Sequence, residues 1–369
     1  GGSKATSTDY FRPRLGGDMA IVRGMAKVVF AAEDAAQAAG EAPVLDHAFI
    51  AEHCHGFDAY RAAVETTSWE QVEDQSGLTH AQVTEAAEIY LHADSVITTW
   101  AMGVTQHKHS VATIQEIANF MFLRGNIGRP GTGVCPVRGH SNVQGDRTVG
   151  IDEKAPKTLL DGMERELGVT MPREHGHNVL QAIGAMLSGE ARTFIALGGN
   201  FARAVPDSQL VAAAMQQLDL TVNIATKLNH GHLLPGRVSY ILPCLGRTEI
   251  DRNDEGVRQV VTVEDSMSMV HGSGGINLPA SKELRSEVRI IAGIAEATLG
   301  NGTVEWSQLG QDNSKIRDLI ARVLPIFGNF NEAIGKPGGF QLYNGASNRE
   351  WTTHNGLSLI HISEPTRHS

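Results

Sequence analysis

The sequence predicts an α/β protein of two doubly wound domains with mostly parallel sheets and one small irregular insertion. Three observations lead there. Of 369 residues, 41% are hydrophobic and 20% charged, enough to bury more than one core. Aromatics make up only 5% while glycine reaches 40 residues, a balance that suits many tight strand-to-helix turns better than a β-sandwich or a coiled coil. Between 178 and 225, helix, strand, helix and strand patterns follow in order, the building block of a parallel sheet.

Asp18 to Ala39 carries Ile21, Val22, Met25, Val28, Val29 and Ala32 at helical spacing, with a carboxylate at the end where a helix favours one. Short helices are predicted at 46–53, 57–64 and 69–74, and Thr79 with Gln82 forms a capping box for a helix reaching His92. Val96 to Trp100 reads as a buried strand that opens into a polar loop with Thr105, Gln106 and His107. A helix follows from about Ser110 to Leu123, with Val111, Ile114, Ala118, Met121 and Phe122 as its buried face. Gly125, Gly128, Gly131 and Gly133 come next, with Pro130 and Pro136, describing backbone that bends repeatedly and lets something approach closely. Beyond them stand Arg138, His140, Asn142 and Gln144, a dense row of hydrogen-bonding side chains.

The stretch 151–171 is irregular, with a short helix at about 159–167. A helix at 179–188 leads to a strand at 193–197 that ends in Gly198, Gly199 and Asn200. After Pro206 a helix runs to about Gln217, and a strand at 220–225 ends in Thr226, Lys227, Asn229 and His230. A short strand is predicted at 240–242, then an irregular Gly-, Asp- and Ser-rich stretch at 251–280 with a strand at 260–263, and helices at 286–297 and 315–323. Ligands of parallel sheets bind beyond the carboxyl ends of the strands. The polar ends at 102–107, 198–200 and 226–230 therefore make a candidate cleft for an extended ligand with phosphates and heterocycles.

Several classes are excluded. A net charge of −10 without any basic run argues against nucleic acid, and no stretch is long and apolar enough to span a bilayer. Cys54, Cys135 and Cys244 are scattered, which points to reduced thiols in a cytoplasmic setting. The pairs His53/His55, His107/His109, His175/His177 and His230/His232 lack a neighbouring Cys or carboxylate ligand set, so no metal ligand is assigned. The glycine row is followed by no Lys-Ser/Thr pair, and a dinucleotide fingerprint with its downstream acid is missing, which argues against a nicotinamide-dependent dehydrogenase.

The motifs G-V-T-Q-H, L-R-G-N-I-G-R-P-G-T-G-V-C-P-V-R-G-H-S-N-V-Q-G-D, L-G-G-N-F-A-R-A-V-P-D, A-T-K-L-N and P-C-L-G-R-T-E-I-D occur in this order. Together they resemble the molybdopterin oxidoreductase family, and within it the formate-dehydrogenase-like alpha subunits, from about Asp9 to Thr353. The resemblance implies a molybdenum bis(molybdopterin guanine dinucleotide) cofactor held by two α/β domains related as in that family. It implies that Gln106, Gly139, His140, Asn142, Gln144 and Gly145 contact a pterin or its pyrophosphate, and that Gly198, Gly199, Asn200, Thr226 and Lys227 line the nucleotide end. Arg138 matches the arginine beside the metal, where a guanidinium would steer an anionic substrate such as formate. His140 stands where a formate dehydrogenase proper would have glutamine, which bears on the substrate more than on the cofactor.

The implied organisation is a first cofactor-binding domain at 1–139, truncated at its N-terminus, and a second at 140–340 with an irregular insertion at about 250–280. A lead-in to a further domain would occupy 341–356. The stretch from Leu357 to Arg367 resembles the in-frame translation of a sequencing-library adapter, so 357–369 is expected to be non-native. The molybdenum ligand and any 4Fe–4S cluster would lie upstream, the fragment alone would be inactive, and an electron-transfer subunit would be the partner. The rival reading is a cofactor-free homologue acting as a scaffold subunit. Retention of Gln106, Arg138, Asn142 and Gln144 favours the enzyme.

Overall fold

The computed structural model describes residues 7–137 and 139–351, together with the backbone of Ser358 and Leu359. The chain divides into two units, Gly1–His140 with Tyr343–Ser369, and Ser141–Leu342.

The first unit is built on α1 (Asp18–Ala39), which has Asp18 in its first turn and is closed by Gly40 at φ 70°. Around it lie α2 (His47–His53), the two-residue strand β1 (Cys54–His55), α3 (Phe57–Thr66), α4 (Trp69–Ser76) and α5 (His80–His92). Ser68 with Gln71 and Thr79 with Gln82 form reciprocal capping boxes on α4 and α5. The buried face of α1 departs from the predicted stripe. Gly24, Ala26, Val29, Phe30 and Glu33 are buried, whereas Ile21, Val22, Met25, Val28 and Ala32 are half-buried. Close helix crossing is the reason: a Cβ on Gly24 would lie 2.7 Å from Val72 and 2.8 Å from Val83, so α4 and α5 demand a small residue there.

From β2 (Ile97–Trp100) the chain passes through α6 (Met102–Thr105) and α7 (Ser110–Phe122) to β3 (Gly133–Pro136), parallel to β2 with Ile97 opposite Gly133. The loop expected after β2 is thus partly helical. The strand expected to be buried is an edge strand of a pair, and Ile97 is 55% exposed. On α7, Val111 is 71% exposed and the buried face carries Thr113, Glu116, Ile117, Phe120 and Met121. A polar contact sets that rotation: Glu116 accepts from Arg23 at 3.2 and 2.6 Å and from the Tyr60 hydroxyl at 3.1 Å. Apolar spacing cannot register such a contact. The core joins Val29, Phe30, Phe49, Tyr60, Phe120 and Met121, with Ala346 and Trp351 packed against it. The residues from Tyr343 to Trp351, within the expected lead-in, therefore belong to this unit. The stretch 357–369 lies outside the described residues apart from Ser358–Leu359, whose backbone pairs in parallel with β1.

The second unit begins with α8 (Val143–Thr148), α9 (Lys157–Leu167) and α10 (Val179–Ser188), the last opened by an Asn178–Gln181 capping box. Next come β4 (Thr193–Leu197), α11 (Phe201–Ala204), α12 (Ser208–Gln216), β5 (Leu220–Ala225) and β6 (Val238–Pro243). The three strands form a parallel sheet in the order β4-β5-β6. Ile183, Met186, Val211 and Met215 of α10 and α12 pack with Phe194 of β4. Val222, Ile224 and Cys244 meet Ile290 and Ile294 of a later helix. Helical side chains thus pack with this parallel sheet in two separate clusters, and the α/β class with mostly parallel sheets holds.

The stretch expected to be irregular holds two antiparallel strands, β7 (Val261–Glu264) and β8 (Met269–Ser273). The helices α13 (Glu287–Leu299), α14 (Trp306–Gln311), α15 (Asn313–Val323) and α16 (Phe330–Ile334) follow, and β9 (Phe340–Gln341) then pairs with β8. Each of these strands is short, with a turn at Asp265–Ser268 where Ser268 takes φ 59°, which is why composition alone reads as loop. Val270, Phe327, Phe330 and Leu342 form the core beneath them. Among the described residues no helix is long and apolar enough to cross a membrane.

Candidate functional site

The carboxyl ends of the parallel strands in the second unit carry the densest set of predicted residues. Past β4, Gly198 (φ 68°) and Gly199 (φ 71°) turn left-handed, and a Cβ on either would meet nothing within 4 Å. The turn is braced from behind by Asn229, whose Nδ2 donates to Gly199 O at 2.8 Å. Asn200 follows, half-buried, and its Oδ1 is buried without a hydrogen-bond partner. At the end of β5, Thr226 and Lys227 are exposed.

Thr226 also lines a cavity of about 420 Å³ within this unit, together with Asn142, Arg247, Ser286 and Glu287. Ser286 precedes α13 yet makes no side-chain cap, and its Oγ is buried and partnerless. Burial pushes the Glu287 carboxyl above the ordinary value. Glu249, on the same wall, accepts from Gly246 N at 2.6 Å and Ala280 N at 2.8 Å, so it serves the loop itself.

Asn142 adopts φ 65°, and its amide is taken up by protein: Oδ1 accepts from Glu264 N at 3.0 Å and Nδ2 donates to Asp146 at 3.0 Å. Gly145 is buried, and a Cβ there would collide with the Asn142 amide. The pair Asn142 and Gly145 therefore shapes the turn into α8 and docks it on β7. Gln144 is half-buried on α8. Behind them Glu264 is 5% exposed, with Oε2 partnerless.

In the first unit Gln106 is exposed at the end of α6, and Nε2 of the neighbouring His107 is buried without a partner. Gly139 and His140 are exposed, and a Cβ on Gly139 would lie 3.1 Å from Met102 Sδ, so this stretch returns against α6. Arg138 lies outside the described residues. The first two glycines of the row expected to admit a ligand are enclosed by the protein, whereas a Cβ on Gly133 would meet nothing within 4 Å. A Cβ on Gly125 would collide with the Asp46 carboxylate, and one on Gly128 would lie 2.5 Å from Arg349. Asn126, 1% exposed, donates to the Tyr90 hydroxyl at 3.2 Å and accepts from Arg129 at 2.9 Å, tying the loop shut.

Among the described residues no group of three or more His, Cys, Asp or Glu side chains is placed to hold a metal ion. The three cysteines are free. Burial and the nearby Asp46 push the Cys54 thiol up to about 12, and burial raises Cys244, so neither is poised as a thiolate. Sequence reasoning did not single out Ser286 or Glu264. Period-two alternation in V-T-V-E, which puts Thr262 and Glu264 on one face, was the signal available for the latter.

No protein-family model matches the chain. It is 47% identical over 347 residues to Protein YdeP of Escherichia coli K12, covering 94% of this chain and 46% of that protein. It is 45% identical over 357 residues to an uncharacterized oxidoreductase of Mycobacterium tuberculosis H37Rv, covering 96% and 45%. Formate dehydrogenase H of Escherichia coli K12 is 30% identical over 216 residues, which cover 56% of this chain and 29% of that one. Among solved structures, acetylene hydratase from Pelobacter acetylenicus aligns with a TM-score of 0.64 at 17% identity, covering 94% of this chain and 48% of that one, a likeness of fold. The chain thus spans about half the length of the curated relatives it matches. These relatives support a molybdopterin-oxidoreductase-like family, not the formate-dehydrogenase-like alpha subunits in particular.

Proposed function

We propose that the chain is part of a cytoplasmic molybdenum-dependent oxidoreductase, formate-dehydrogenase-like, and that its strand ends and the turn into α8 cradle a bis(molybdopterin guanine dinucleotide) cofactor. One observation carries the reading. Among the described residues, the buried side-chain nitrogen and oxygen atoms without partners are His107 Nε2, Asn200 Oδ1, Glu264 Oε2 and Ser286 Oγ. Each belongs to or adjoins a residue that the motif resemblance assigns to the cofactor. His107 follows Gln106, Asn200 is itself assigned, Ser286 shares a cavity with Thr226, and the backbone of Glu264 is bonded to Asn142. Leaving such an atom unpaired costs about 1–3 kcal/mol, so four at these places fit a ligand rich in donors and acceptors.

When bound, the cofactor would supply the two-electron chemistry, and the protein supplies binding and orientation. The open space over Gly198 and Gly199 lets their backbone come close to a phosphate or ribose, with Lys227 available to neutralise charge. Asn142 and Gly145 would set the turn on which Gln144 is carried, and Gln106, Gly139 and His140 are the further pterin contacts that the motif resemblance implies. Arg138 would steer a small anionic substrate, formate being the first to try. A 4Fe–4S cluster upstream and an electron-transfer subunit belong to the same reading.

Metal and pterin analysis of the full-length protein, expressed with its cofactor supply intact, tests it. Molybdenum or tungsten with guanine dinucleotide pterin is expected. A folded protein with neither, under conditions that load a known family enzyme, would leave the cofactor-free scaffold standing instead.

A further inference from the structure

We infer that Glu264 is a ligand-binding carboxylate: it accepts hydrogen bonds from the amide and amine N–H groups of a 2-amino-4-oxo nitrogen heterocycle carried beside the turn into α8. The inference rests on the cofactor reading above, and it adds a residue that none of the resembling motifs contains.

Three features of the fold point to it. Glu264 is 5% exposed, and its Oε2 receives no hydrogen bond. Its cross-strand neighbour on β8 is Val270, 2% exposed and part of the apolar core with Phe327 and Phe330. A carboxylate beside such a neighbour is costly unless a donor reaches it. Two neighbouring carboxylates are engaged elsewhere, Asp265 with His271 at 3.1 Å and Asp146 with Asn142 at 3.0 Å. Finally, the backbone N–H of Glu264 is held by Asn142 Oδ1, which fixes β7 directly against the turn that carries Gln144.

The chemistry of the donor follows from the acceptor. A lone metal ion would need further ligands, and no such set exists among the described residues. A small anionic substrate would be repelled. A ring that offers an N–H and an adjacent exocyclic amine matches the two oxygens of one carboxylate, in the way a guanidinium does. Pterin and guanine both present that edge.

The inference separates function from folding. If Glu264 serves only a ligand, then in the cofactor-free protein it is a burden, and replacing it by an apolar side chain of similar size should stabilise the fold while weakening cofactor retention. The full-length protein and its Glu264→Leu and Glu264→Gln variants would be made in hosts with and without pterin synthesis. Pterin retained per chain after gel filtration and the melting temperature of the cofactor-free form are the two readouts. The Leu variant is expected to melt higher than cofactor-free wild type and to retain at least about tenfold less pterin, with Gln, which keeps one acceptor, between them. Equal retention in all three, or a cofactor-free Leu variant that melts lower or fails to fold while Gln retains pterin fully, would overturn the assignment. Wild type that carries no pterin would instead overturn the cofactor reading itself, which tells the two failures apart.

Discussion

Two glycine turns in this protein look alike in sequence and do opposite things. In the first unit Gly125 and Gly128 take φ 58° and 67°, and in the second Gly198 and Gly199 take 68° and 71°. Around the first pair the chain has closed on itself: Asp46 and Arg349 occupy the space a Cβ would need, and Asn126, Tyr90 and Arg129 complete one another's hydrogen bonds. Around the second pair the space is open and the next side chain, Asn200, has an acceptor without a donor. A left-handed glycine therefore says only that the backbone turns sharply. Whether the turn is a knot or a cradle depends on what else fills the space.

The same contrast separates the polar interiors. Glu116 and Glu33 in the first unit have full sets of partners, whereas Glu264 and Ser286 in the second have atoms with none. Breaking the satisfied set should cost most. In the full-length protein Glu116→Ala leaves Arg23, itself largely buried, without its carboxylate and is expected to lose about 3–5 kcal/mol in denaturant unfolding. A loss below about 1 kcal/mol would mean that the triad does not set the rotation of α7. Gly125→Ala should cost roughly 3 kcal/mol, since left-handed backbone and collision with Asp46 act together.

Gly199→Ala meets only the backbone penalty, about 1–2 kcal/mol, and should show its larger effect in pterin retention. If Gly199→Ala destabilised as much as Gly125→Ala while leaving the cofactor untouched, the contrast between knot and cradle would collapse.

The smallest effect expected is a dependence on pH. Burial, the largest single influence, pushes the Glu33 carboxyl up, but hydrogen bonds from His47, Leu45 and Val44 together outweigh it and hold the group below its ordinary value. A carboxyl depressed in the folded state stabilises above its unfolded value of about 4.3, and that contribution is lost as pH falls through the folded one. The melting temperature should therefore fall less between pH 6 and pH 3 in Glu33→Gln than in wild type. Parallel curves would assign the loss of stability to other groups.

Local signals placed much of the fold. α1, α10, β4 and β5 occupy the ranges read from the sequence, and the Thr79–Gln82 box opens α5 where predicted. Caps, periodicity and glycine stops act within a few residues, so they are visible in the chain itself. Of the buried face of α7 only Met121 and Phe122 were visible; its turn toward Glu116 was not, because that is chosen by Arg23 and Tyr60, which lie 93 and 56 residues away. Nor was β8 or its pairing with β7, although a strand at 260–263 is read from the sequence, because pairing is decided across the turn at 265–268.

At the site the division is similar. Sequence motifs alone marked out Gly198, Gly199, Asn200 and Thr226 as strand-end residues, because a strand followed by glycine and a polar side chain has a local signature. Only the tertiary structure decided that the turn at Gly125 and Gly128 is closed, that Asn142 is engaged with β7, and that Glu264 and Ser286 each carry an unpaired atom. Satisfaction of a polar group is a property of everything that comes near it in space, and no stretch of sequence contains that information.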